Sequence, residues 1–190
     1  DFDVKEQGDY VLKGDLAVMD IIASNINDRP VYFSVTADPS RFLGLNQYMQ
    51  LEGLALRIIP VRSTPERQFG VFGLGRVQDD LTYKNVMTKF KWGNFDKKKL
   101  FVDRSYLPSI NALRMVQIRT AYDMLNKGDK KRAAELAENT LKVFPNMNFP
   151  FDGGILPTIS ILISADKFEN AKPYMKVLAG NLRESMIFYK

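Results

Sequence analysis

The last 82 residues, 109–190, repeat one local pattern, and few folds accommodate it. Ile110, Leu113, Ala121, Met124 and Leu125 make the apolar stripe of a long helix. Asn126-Lys127-Gly128-Asp129 follows as a tight turn, with Gly128 suited to the left-handed position past a helix end. Ala133, Leu136, Ala137, Thr140, Leu141 and Phe144 then recur at steps of 3, 1, 3, 1 and 3, and Pro145 ends the second helix. Ile155, Leu156, Ile159, Leu162 and Ile163 predict a third helix, Ala165-Asp166-Lys167 a second turn, and Phe168, Ala171, Met175, Leu178 and Leu182 a fourth helix.

Ala133 and Ala171 hold equivalent places, each five residues after a turn residue, Gly128 or Asp166. Aligning Pro145 with the closing proline of a tetratricopeptide repeat puts Ala121, Gly128 and Ala133 on that repeat's small-residue positions. The two units are 38 residues apart, longer than the usual spacing of ~34. Small residues let two antiparallel helices approach closely, and each pair leaves an apolar face for the next. Two such units seldom stand alone. The first half of the chain is therefore expected to dock as a cap against the Ile110 helix.

That first half reads differently. Asp15 is placed to cap a helix running to about Ile26, with Leu16, Met19, Ile22 and Ile26 on one face. Val31–Val35 is a short run of β-formers after Arg29-Pro30. Leu43–Gln50 predicts a short helix and Leu54–Val61 a second strand, with the polar corner Gln50-Leu51-Glu52-Gly53 between them; the two strands are expected to be parallel neighbours. Residues 62–79 read as a loop or hairpin. Their "GVFGLG" lacks the glycine order and the strand-to-helix setting of a dinucleotide site, and no cofactor is expected. Asp79 or Asp80 would cap a helix to Phe90, with Tyr83, Val86, Met87 and Phe90 sharing a face, and "LFVD" would add a third strand. The expected class is α+β: a small α/β N-terminal layer over 1–108, followed by a tetratricopeptide-like antiparallel helical repeat over 109–190.

The chain has neither cysteine nor histidine. Disulfides, thiolate sites, His-based triads and the usual zinc centres are thereby excluded, which leaves carboxylate or lysine chemistry. No apolar run approaches the ~20 residues that span a bilayer. The acidic start, Asp1-Phe2-Asp3, is unlike a secretory leader, and a chain that begins without Met reads as a piece of something longer. Net charge is 27 − 22 = +5. Lys89, Lys91, Lys97, Lys98 and Lys99 interleave with Phe90, Trp92 and Phe95, a pattern that serves nucleic acid or an anionic membrane in some proteins. The expectation here is a solvated loop with its aromatics turned into the core, and no nucleic-acid partner.

Asp79-Asp80 is the one adjacent acidic pair, and a helix start accounts for it. Glu52 is singular because its surroundings are apolar. It would either pair with Arg57 or accept backbone N–H groups and so hold the corner, or else bind a sugar hydroxyl or a cation; the structural role is the expectation. Trp92 would stack on a sugar or fill the core. Gln50, Glu52, Gly53, Arg57 and Trp92 thus form the candidate binding or structural motif, with no catalytic residue and no metal ligand assigned. Asp152-Gly153-Gly154 reads as a turn into a helix and lacks the oxygen ligands of a calcium loop.

Arg29-Pro30-Val31-Tyr32-Phe33, Gln50-Leu51-Glu52-Gly53-Leu54, Phe90-Lys91-Trp92-Gly93 and Asp103, with "KGDKKRAAELAENTLKVFP" after them, carry a resemblance. From about Gly14 to Tyr189 the chain resembles the C-terminal soluble region of a Bacteroidetes family of multi-spanning membrane proteins. That family is of unknown function and is related to protein O-mannosyltransferases of the GT-C type. The resemblance implies that glycosyl transfer from a lipid-linked donor belongs to a membrane-embedded N-terminal part, from which no catalytic residue carries over. It also implies a non-catalytic domain on the periplasmic face of the inner membrane, whose partners are that N-terminal region and an acceptor protein or peptide. Two other functions fit the residues: a carbohydrate hydrolase pairing Glu52 with Asp103, and a plain peptide-binding module built on the helices.

Overall fold

The computed structural model describes residues 11–63 and 75–188. The chain runs α1 (Lys13–Asn25), β1 (Tyr32–Ser34), β2 (Met49–Glu52), β3 (Ala55–Ile58), β4 (Arg76–Val77), α2 (Asp79–Lys84), α3 (Leu107–Asn126), α4 (Lys130–Val143), α5 (Leu156–Ser164) and α6 (Phe168–Phe188). A small sheet precedes four antiparallel helices, so the class is α+β. The "GVFGLG" stretch lies outside the described residues.

The helical half follows its periodicity. Ala121, Met124, Ala133, Leu136, Ala137, Leu162 and Ala171 are all buried in one cluster. Gly128 has a φ of 86° and Asp166 one of 61°, so both turns use the left-handed region. Pro108 stands in the first turn of α3, where a missing N–H costs nothing. Leu156, Ile163, Phe168, Met175 and Leu182, though in register with the stripes, are exposed. On α6 only Ala171 and Leu178 are buried among the described side chains.

The sheet departs from expectation in three respects. Its order is β1-β3-β2-β4, and β1 pairs antiparallel with β3, through Tyr32 and Arg57, where parallel neighbours were expected. The parallel pair is β2 with β4, through Gln50 and Arg76. Second, Leu43–Gln50 is not one helix. A short 3-10 turn over Leu45–Tyr48 gives way at Met49 to β2. Tyr48 and Met49 have helical spacing, but Met49 and Leu51 alternate with Gln50 and Glu52 in burial, the period of a strand. Third, the "LFVD" stretch, Leu100–Asp103, forms no strand.

The polar corner is therefore the tip of a hairpin. Glu52 pairs with Ala55 across a two-residue connection, and Gly53 has the positive φ, 66°, that such a connection requires at its first position. Helix starts also shift slightly. Asp15 sits in the first turn of α1 and accepts from the Leu12 N–H at 3.2 Å. Asp79 and Asp80 occupy the first turn of α2. That helix does not run regularly to Phe90: Asn85–Lys89 forms a π turn, closed by the Phe90 N–H on the Asn85 carbonyl at 2.9 Å. The extra residue in the turn buries Val86 but leaves Met87 exposed, so they do not share a face.

The sheet, α1 and the 3-10 turn enclose Ile22, Phe42, Leu45, Met49, Leu51 and Ile58 in a second cluster, which Val116 of α3 completes. The first half thus docks on the Ile110 helix. Ile110 itself joins Val143, Phe144 and Phe149 in a third cluster, against which Trp92 and Phe95 pack.

Candidate functional site

The five residues of the candidate motif divide into three settings. Glu52, Gln50 and Arg57 lie together. Gln50 and Arg57 are direct cross-strand partners, as are Arg57 and Tyr32, so three strands present their side chains on one face. Glu52, one pleat further along β2, collects them. Its Oε2 accepts from the Tyr32 hydroxyl at 2.9 Å, and its Oε1 accepts from Gln50 Nε2 at 2.8 Å and lies 3.5 Å from Arg57 Nη1. The Glu52 side chain is only 7% exposed although Arg57 is 42% exposed. Burial, reinforced by the hydrogen bond to Glu52, raises the Tyr32 phenol above its ordinary range.

Gly53 faces α2. Its N–H donates to the buried Thr82 hydroxyl at 2.9 Å, and a Cβ there would stand 3.2 Å from the Phe90 ring. Trp92 lies edge-on to Phe90 at 6.1 Å and to Phe144 at 5.5 Å. It is one member of an aromatic path from the hairpin tip to the end of α4. Phe95 closes on Phe149 at 4.9 Å, and the Arg114 guanidinium lies over Phe144 and Phe149 at 5.6 and 5.4 Å. The aromatics of the basic loop are turned inward, as expected.

A hydrolase needs two carboxyl groups within roughly 5–10 Å of each other across a cleft. Glu52 and Asp103 are engaged separately: Asp103 accepts from the Ser105 N–H at 2.8 Å and caps a short turn before α3, which lowers its pKa. Asp152 likewise accepts from the Gly154 N–H at 2.8 Å, the expected turn. The Asp79-Asp80 pair joins elements: Asp79 meets Lys127, just past the end of α3, at 2.8 Å and Asp80 meets Arg132 of α4 at 2.5 Å. Removing the carboxylate of Glu52 leaves three polar side chains without their shared acceptor. We expect Glu52→Ala to cost about 2 kcal/mol and to lower the melting temperature by about 4–8 °C, read by calorimetry.

A second tie crosses between halves. The Tyr83 hydroxyl donates to Glu135 of α4 while Arg132 lies over the Tyr83 ring at 5.6 Å. Burial, with the Glu135 carboxylate, pushes the Tyr83 phenol up to about 12. Because the folded value lies above the unfolded one of about 10, the associated stability is whole below pH 10 and is lost as pH rises through 12. Thermal melts from pH 9 to 12 should therefore decline more steeply for the native chain than for Tyr83→Phe.

One concavity has no counterpart in the sequence reading. A groove of about 830 Å3 lies between α4 and α6, walled by Glu138, Asn139 and Lys142 on one side and Asn170, Pro173 and Tyr174 on the other. Asn170 Nδ2 donates to Glu138 Oε1 at 2.5 Å, which spans the two helices. Asn139 Nδ2 donates to Oε1 of the buried Gln117 at 2.9 Å. Asn146, at the floor, accepts from the Phe151 N–H at 2.7 Å and from Asn181 at 2.8 Å. Pro173 has no N–H, so the carbonyl one turn earlier lacks its usual helical donor. The Tyr174 ring lies tilted against Phe151 at 6.2 Å; burial and Glu138 raise its pKa. Amide donors, amide acceptors and an aromatic wall suit hydrogen bonding to an extended polar ligand. Only the periodicity of α4 and α6 hinted at this groove, since its asparagines fall between core positions.

Fold and groove define an α+β domain whose sheet caps two antiparallel helix pairs. The family model described as TMEM260-associated domain 2 matches residues 1–81, the part holding α1, the sheet and the start of α2. No curated protein and no solved structure matches the chain. Among the described residues no helix is long and apolar enough to cross a membrane.

Proposed function

We propose that the chain is a non-catalytic periplasmic domain of a membrane glycosyltransferase-like protein, and that its α4–α6 groove holds a polypeptide acceptor. The groove carries the reading. A polypeptide backbone alternates donors and acceptors, and the side-chain amides of Asn139, Asn146 and Asn170 line one trough beside Tyr174. Glu138 and Lys142 add opposite charges for side chains of either sign. The match of residues 1–81 to a TMEM260-associated domain supports a place beside an O-mannosyltransferase-related membrane protein, as does the family resemblance. In this arrangement the membrane-embedded region takes sugar from a lipid-linked donor. The helix pairs act as tetratricopeptide-like repeats that position the acceptor and brace that region. Glu52 serves as a brace for the sheet.

The test uses the full-length protein in its membrane. A photo-crosslinking residue at position 170 should capture polypeptides that carry the transferred sugar, whereas one at the exposed position 176, outside the groove, should not. Asn170→Arg should lower glycosylation of the captured proteins at least about tenfold, the worth of one lost buried contact of 1.4 kcal/mol. Unchanged glycosylation of every acceptor in Asn170→Arg would refute the groove as the acceptor site.

A further inference from the structure

Phe101 is 92% exposed, and Leu100 and Tyr106 beside it are 42% and 63% exposed. A single apolar side chain in water is ordinary, so exposure alone argues little. The loop that presents Phe101, however, has a fixed shape. Asn148, itself buried, donates from Nδ2 to the Phe95 and Lys98 carbonyls, both at 2.7 Å. Its Oδ1 accepts from the Leu100 N–H at 2.7 Å. One buried amide thus satisfies three backbone groups of a segment without regular structure, and Phe95 and Trp92 anchor it to the third core cluster. The clamp holds Lys97–Phe101 outward.

Charge concentrates at the same place. Residues 89–107 carry six basic and two acidic groups, net +4, while residues 1–88 carry nine basic and twelve acidic, net −3. One of the two acids, Asp103, is committed to the Ser105 N–H. Among the described residues, the ion pairs involve none of Lys97, Lys98 and Lys99.

We propose that the Lys97–Phe101 loop docks on an anionic phospholipid surface, with Phe101 entering the acyl boundary and Lys97, Lys98 and Lys99 meeting lipid phosphates. A nucleic acid fits less well. Bases need a run of stacking platforms, and of the aromatics that interleave with the lysines, Trp92 and Phe95 pack against the core, while the exposed Tyr106 lies five residues past Phe101. An isolated Phe beside Leu100, flanked by long basic side chains, matches the apolar-plus-cationic pattern of a bilayer interface.

Sedimentation of the 190-residue chain with vesicles tests this. Equimolar phosphatidylglycerol and phosphatidylcholine vesicles should retain the protein far better than pure phosphatidylcholine. Phe101→Ser should weaken partitioning about tenfold or more, the worth of one buried aromatic. The triple variant Lys97→Gln, Lys98→Gln, Lys99→Gln should weaken it about 100-fold, near fivefold per basic group. Both variants should melt with the native chain because the altered side chains are exposed. Equal retention on the two vesicle types, or undiminished binding by Phe101→Ser, would overturn the proposal. Tighter binding to a single-stranded RNA oligomer than to the anionic vesicles would overturn it in favour of nucleic acid.

Discussion

Leu136→Ala should lower the melting temperature by about 10 °C. Leu136 is fully buried in the cluster that α3, α4, α5 and α6 share. α4 packs on both α3 and α5, so its inward face has no solvent side toward which a cavity could relax. Deleting three carbons from such a site costs the lost transfer energy and a cavity term, together about 2–5 kcal/mol. For a chain of this length each kcal/mol shifts the midpoint by about 2–4 °C. Leu182→Ala, at an exposed position of α6 on the same nominal stripe, should change stability by less than about 0.5 kcal/mol. Equal losses at the two sites would mean that α6 is covered along its full length.

Gly75→Ala should be as damaging for an unrelated reason. Gly75 has a φ of 68°, and a Cβ built there falls 1.7 Å from the Met49 carbonyl oxygen. Neither backbone has room to yield. Met49 is fully buried and pairs with Ile58, while the next residue of β2, Gln50, pairs with Arg76. The Gly75 carbonyl is itself held by Nη2 of Arg119, on α3, at 3.1 Å, a guanidinium whose burial lowers its pKa. Alanine must therefore detach β4 or distort β2, and we expect a loss of about 3 kcal/mol or more in denaturant unfolding. Stability within about 0.5 kcal/mol of the native value would show that β4 does not pair as described.

The helical half was legible because its signals agree. The stripe from Ala133 to Phe144, the turn at Gly128 and the stop at Pro145 all point to one arrangement, and burial follows them. The sheet was less legible because its strands are two to four residues long, too short for a period to declare itself. Around Met49 the helical spacing of Tyr48 and Met49 competed with the alternation from Met49 to Glu52, and cross-strand pairing decided the outcome. The hairpin was hidden by its unusual tip: Gly53-Leu54 carries none of the Asn-Gly or Asp-Gly chemistry that marks such turns. At the candidate motif, Glu52 lies 3.5 Å from Arg57, one of the two structural settings that the residues left open. Tyr32 was not anticipated, because the β1–β3 pairing that delivers it depends on antiparallel register. Asn148 and Asn170 look alike in sequence, yet one clamps a loop and the other walls a groove. Position in the fold separates them.

The non-catalytic assignment turns on Glu52 acting as a brace, and a double-mutant cycle of Tyr32→Phe with Glu52→Gln measures that most directly. The account predicts a stabilising coupling of about 1 kcal/mol between the two side chains in denaturant unfolding. Additive stabilities, with Glu52→Gln as stable as the native chain but unable to bind peptide or oligosaccharide, would contradict it and place the chemistry at Glu52 after all.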